Sequence, residues 1–108
     1  MAKPLPRSDE FDIGDIDEII HGRVRLGVIA YLTAVDVADF NTLKAKLQTT
    51  DGTLSVHLRK LEEAGYVVVE KGYSGRKPIT RLRMSAKGRK AFQVYLNTNG
   101  RLAGLSQD

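Results

Sequence analysis

The chain has 108 residues and a mass of 11.9 kDa, enough for one domain with at most short appended helices and too little for a two-domain enzyme. Hydrophobic residues make up 42% and charged residues 28%, with 6% aromatic and no Trp, which excludes a disordered chain and predicts an aliphatic core. Lys and Arg number 17 against 13 Asp and Glu, a net +4, and the absence of Cys excludes disulfides, thiolate metal sites and a Cys nucleophile. No apolar run approaches a membrane span and residues 1–12 lack the apolar stretch of a signal peptide, so a soluble, cytoplasmic protein is expected.

In chain order, residues 1–11 read as a flexible arm, with Pro4 and Pro6 and little to bury. A domain follows over residues 12–97. Ile13, Ile16, Ile19 and Ile20 form an apolar stripe over a short helix from Asp12 to Ile20, and the acidic side chains near its start suit the helix dipole. Arg23 to Thr33 is a second helix, with Val24, Val28 and Leu32 on one face and Leu26 and Ile29 widening it. Asp36 to Phe40 reads as a brief extended connection and Asn41 to Leu47 as a short helix, after which Gln48 and Thr49 turn the chain.

Both ends of the next helix, Gly52 to Ala64, are marked. Thr50 or Asp51 caps its start, and Gly65 closes it where a left-handed residue is wanted. Val-rich Tyr66 to Lys71 and alternating Ile79 to Met84 read as two strands, joined by an exposed tip from Gly72 to Pro78. Ser85 caps a last helix with Ala91, Phe92, Tyr95 and Leu96 on its apolar side, and residues 98–108 read as a flexible tail.

The charge is unevenly placed along these elements. Residues 1–40 carry four basic and eight acidic side chains, whereas residues 57–90 carry ten basic and three acidic, a local +7. The basic block covers the long helix, the hairpin and the last helix, which makes a polyanionic partner plausible.

Helix, short helix, tight turn, longer helix and basic-tipped hairpin is the layout of a winged helix-turn-helix, an α+β, mainly helical fold with a two-stranded wing. On the longer helix Leu54, Leu58 and Leu61 face the core. At about 100° per residue, Gly52, Val56, Arg59 and Glu63 then point the opposite way, with Thr53, Ser55 and Lys60 on the flanks. Small and hydrogen-bonding groups near a helix start are what a major groove about 12 Å wide admits. Arg59 suits guanine or phosphate, Thr53 and Ser55 suit bases or phosphates, and Val56 suits a thymine methyl, while the free amides after Thr50 favour an anion. In the hairpin, Arg76 and Lys77 reach phosphates or a minor groove and Tyr73 packs on the backbone.

The stretch from Thr50 to Val67 resembles the recognition helix and first wing strand of MarR-like and ArsR-like transcriptional regulators. Gly75-Arg76-Lys77-Pro78 and Leu82 to Phe92 are similar to the wing and following helix of the MarR-like group. The resemblance covers roughly residues 21–96 and implies a dimeric regulator of double-stranded DNA, often a repressor, with the terminal helices making the dimer. The chain is shorter than a typical MarR protein, whose longer terminal helices build the effector pocket, so no small-molecule effector is assigned. No metal is expected, because Cys is absent and His21 and His57 lack ligand spacing; His57 is expected to pack, partly buried, beside Leu54 and Leu58. The acidic run from Asp9 to Glu18 lacks the ligand order and the Gly of a calcium loop. The hydrolase elbow, the zinc-protease motif and the phosphate loop are absent, so neither catalysis nor a cofactor is expected. The competing expectation is a winged helix that serves protein interaction without DNA, which an apolar and flat outer face would favour.

Overall fold

The computed structural model describes Asp17 and residues 19–107, with side chains as far as Thr98. Its elements are α1 (Arg23–Val35), β1 (Val37–Asp39), α2 (Phe40–Leu47), α3 (Asp51–Glu63), β2 (Val67–Ser74), β3 (Lys77–Met84) and α4 (Ala86–Gln107). The expected arm at residues 1–11 and most of the helix expected from Asp12 to Ile20 lie outside the described residues. Ile19 and Ile20 sit in a turn in which the Asp17 carbonyl accepts from the amides of Ile20 and His21 at 3.2 and 2.9 Å.

Local chemistry accounts for the element ends. The Asp39 carboxylate accepts from the Thr42 amide at 2.7 Å and caps α2. That bond and the Thr42 hydroxyl, with Arg81 adding to them, hold its carboxyl below the usual range. Gln48 stops α2 in the left-handed region, and two residues later the Thr50 hydroxyl accepts from the Thr53 amide at 3.2 Å to start α3. At the other end of α3 the Gly65 amide donates to Glu62 and the Tyr66 amide to Leu61, both at 2.9 Å. This double bond pattern needs the φ of +82° that Gly65 adopts.

The sheet is antiparallel, in the order β1-β3-β2, with Val67 opposite Met84 and Ser74 opposite Lys77 at the two ends of the hairpin. Its inner face, with Ala38, Val67, Leu82 and Met84, closes over α1–α3, whose Val28, Ile29, Leu32, Leu43, Leu54, Leu58 and Leu61 complete the core. The core is aliphatic, and each fully buried Leu or Ile contributes on the order of 1.5–3 kcal/mol. Residues before α1 join the same body. Ile20 is buried, the Tyr66 hydroxyl donates to Asp17 at 2.8 Å, and His21 Nδ1 lies 3.0 Å from the Tyr95 hydroxyl. Burial, together with the bond to Asp17, pushes the Tyr66 phenol up to about 12.

Three expectations need correction. Asp36 to Phe40 holds a strand, β1, whose residues pair with Arg81 to Arg83 of β3. The wing strands run further than read, so the tip is two residues, Gly75 and Arg76, rather than Gly72 to Pro78. Gly75, at φ +64°, occupies the first turn position, as a type II′ hairpin requires. Lastly, α4 runs through Gln107, past the point where a tail was expected at residue 98.

Candidate nucleic-acid interface

Helix α3 is divided as its spacing predicts. Leu54, Leu58 and Leu61 are buried, while Gly52, Thr53, Ser55, Val56, Arg59 and Lys60 are exposed, as is Thr50 before them. Val56, an apolar residue in the middle of this outer face, is 52% exposed. A Cβ at Gly52 would meet nothing within 4 Å, so the fold itself leaves open space there.

The wing brings a second set of groups to the same side. Along β2 the residues Val67, Val69 and Lys71 share one face of the sheet, buried at its start and exposed at Lys71. Lys71 and Thr80, opposite each other in the ladder, meet Ser55, Arg59 and Glu62 of α3 around an open cleft of about 360 Å³. Tyr73 (66% exposed), Arg76 and Lys77 lie further out on the hairpin and do not join the α3 cluster. Tyr73 instead lines a shallow hollow with Pro78 and Thr80. Lys60 faces the opposite flank of α3, away from the wing.

Three ion pairs form among the described residues. Lys44 pairs with Asp51 at 2.7 Å, Arg83 with Glu70 at 3.2 Å and Arg89 with Asp36 at 3.4 Å. Among the described residues Arg59, Lys60, Lys71, Arg76 and Lys77 are in no ion pair, which leaves their field open to solvent.

The family model described as a winged helix DNA-binding domain matches residues 24–102, from the first buried turn of α1 into α4. The chain belongs to the winged helix DNA-binding domain family. An uncharacterized protein of Methanocaldococcus jannaschii is 39% identical to this winged helix chain over 79 residues, 73% of this chain and 86% of that one. The solved transcriptional regulator homologue protein from Pyrococcus horikoshii OT3 matches with a TM-score of 0.71 and 30% identity, over 81% of this chain and 87% of that one. A MarR-family transcriptional regulator from Silicibacter pomeroyi shares the fold, with a TM-score of 0.60 and 19% identity over 82% of this chain and 60% of that one. Family and fold are those of DNA-binding transcriptional regulators. Among the described residues no group of three His, Cys, Asp or Glu is placed to hold a metal, and no helix is long and apolar enough to cross a membrane.

In this winged helix the sequence singles out ten residues on α3 and the hairpin but leaves out Lys71. A signal was present, since Lys71 continues the i, i+2 row of Val67 and Val69 beyond the core. His57 is half-buried against the core side of α3, as expected of a packing residue. Its protonation is disfavoured first by burial and then by the nearby charges of Arg25 and Lys60, so its pKa lies below the ordinary 6.5.

Below about pH 6.5 the unfolded chain therefore binds a proton that the folded chain resists, and stability falls as the pH drops through that value. Thermal melts at pH 7.5 and 5.5 are expected to show a smaller drop for His57→Gln than for the parent. Parallel drops would show that His57 does not contribute.

Proposed function

We propose that this chain is a sequence-specific repressor that binds double-stranded DNA as a homodimer. The observation that carries the reading is the outer face of α3, small and open at Gly52 and Thr53 and flanked by cations that are in no ion pair among the described residues. Such a face enters a major groove, with Thr53, Ser55, Val56 and Arg59 at base edges or the adjoining phosphates. The amides after Thr50 and the side chain of Lys60 meet phosphate. Arg76 in the turn and Lys77 directly after it grip flanking DNA, and Tyr73 lies along the sugar-phosphate backbone. An interaction module without DNA would want an apolar and flat face here, and this one is neither.

Dimerisation through α4 and the segment before α1 is supported by Val94 and Leu96, which are 52% and 47% exposed on α4. Two-fold symmetry then sets the two α3 helices in successive major grooves about 34 Å apart, on a near-palindromic site whose occupation blocks a promoter. The reading places the protein in the cytoplasm, where such sites are.

Titration of labelled duplexes over a range of NaCl concentrations tests the assignment. The double variant Arg76→Ala, Lys77→Ala is expected to bind all duplexes more weakly, with a log–log salt slope shallower by about two. Arg59→Ala is expected to lose about 1–3 kcal/mol of preference at particular base pairs. Parental binding by both variants would show that the surface is wrongly assigned, and sedimentation as a monomer at binding concentrations would remove the dimer.

A further inference from the structure

Helix α1 sets Arg25 against the flank of α3 that faces away from the wing. There Arg25, Lys60, Glu63 and Ala64, with Ile19, line an open cleft of about 470 Å³. Arg25 Nε and His57 Nδ1 are both buried, and neither has a hydrogen-bond partner among the described residues. Glu63 stands at the same cleft, yet among the described residues neither Arg25 nor Lys60 is in an ion pair. A guanidinium keeps its charge at any accessible pH, so Arg25 and Lys60 at one cleft, neither of them paired with the Glu63 carboxylate beside them, favour the entry of an anion. Lys60 is exposed and Arg25 half-buried, so an anion reaches both from solvent.

The position relative to α3 says which anion. A helix lying in a major groove has a phosphate strand along each of its sides. Arg59 and Lys71 stand on the wing side, and Lys60 with Arg25 on the side of α1. We propose that Arg25 and Lys60 form a clamp for a DNA backbone phosphate, so that one strand passes along the cleft between α1 and α3. This rests on the DNA-binding reading above and extends the interface to a helix that the recognition face does not include. The half-buried guanidinium, held from the side by α1, presents its remaining N–H donors in a fixed fork that suits a phosphate.

The test compares the parent with Arg25→Gln, Arg25→Lys and Lys60→Gln, binding both a selected site and a random duplex across NaCl concentrations. Arg25→Gln and Lys60→Gln are each expected to lower affinity on the order of tenfold, equally on both duplexes, and to make the salt slope shallower by about one. Arg25→Lys is expected to keep the slope. Lys60 is exposed on its helix, so Lys60→Gln carries the test even if Arg25→Gln fails to fold by circular dichroism. Parental slope and affinity in the folded Gln variants would overturn the proposal. So would inorganic phosphate, exchanged for chloride at fixed ionic strength, raising the melting temperature of the parent but not of Arg25→Gln while the duplex slopes stay equal, since the cleft would then serve a free anion. A parent that binds no duplex even at low salt overturns the DNA reading itself, and the clamp with it.

Discussion

Gly88→Ala is expected to cost about 3 kcal/mol and to lower the melting temperature by on the order of 15 °C, a large part of the stability of a domain this small. A Cβ at this position would stand 2.2 Å from the Tyr66 carbonyl oxygen and 2.9 Å from its carbon and from Met84 Cε. The oxygen has no freedom to retreat, because it accepts from the Ser85 amide at 3.0 Å. Ser85 in turn caps α4, its hydroxyl accepting from the Gly88 amide at 2.9 Å, so the cap, the start of the wing and the first turn of α4 form one tight corner. Relief would require α4 to lift from the base of the hairpin. Gly27→Ala serves as a graded comparison. Its Cβ would meet Leu47 Cδ2 at 2.6 Å, but that is the free end of a side chain able to change rotamer, and the expected loss is smaller. Calorimetry placing Gly88→Ala within two or three degrees of the parent would show that the corner yields.

Gly52→Glu is expected to do the reverse, leaving the fold intact and removing binding. The position is exposed, a Cβ there has open space, and it lies in the first turn of α3, where a helix former and a negative charge are both favourable. Melting at or above the parental temperature is therefore expected. Against duplex DNA the same side chain sets a carboxylate where α3 approaches the groove, and affinity is expected to fall on the order of a hundredfold, about 2.8 kcal/mol. Gly52→Ala should bind within a few-fold of the parent. If the Glu variant bound like the parent, some surface other than the outer face of α3 would be meeting the DNA.

Helix α3 was legible because its signals are local. Thr50 and Gly65 mark its two ends by side-chain and backbone chemistry within a turn of the helix, and the spacing of Leu54, Leu58 and Leu61 picks the buried face without any neighbour being known. What was missed depends on residues distant in sequence. Three residues of β1 are too few to show an alternating pattern, and only their pairing with Arg81 to Arg83 makes them a strand. Gly72 and Pro78 carry turn chemistry, yet both lie in the ladder. The Tyr73–Pro78 pair adjoins the closing pair of a two-residue hairpin, so the missing Pro78 amide faces away from β2, and β1 does not reach that far. Gly100 and Gly104 both lie within α4, since isolated glycines cost only about 1 kcal/mol each in a helix and need not end it. On the candidate surface, the α3 and wing-tip positions followed from spacing. Lys71 and Arg25 gain their interest only from which flank of α3 they face, and a one-dimensional pattern does not contain that relation.

Selection of bound fragments from a pool of random genomic duplexes, with the parent and Gly52→Glu run side by side, tests the central claim most directly. The account predicts that the parent enriches one near-palindromic sequence, its half-sites a helical turn apart, and that Gly52→Glu enriches none while remaining folded. Recovery by the parent of fragments no different from the starting pool, or equal enrichment by both proteins, would contradict it.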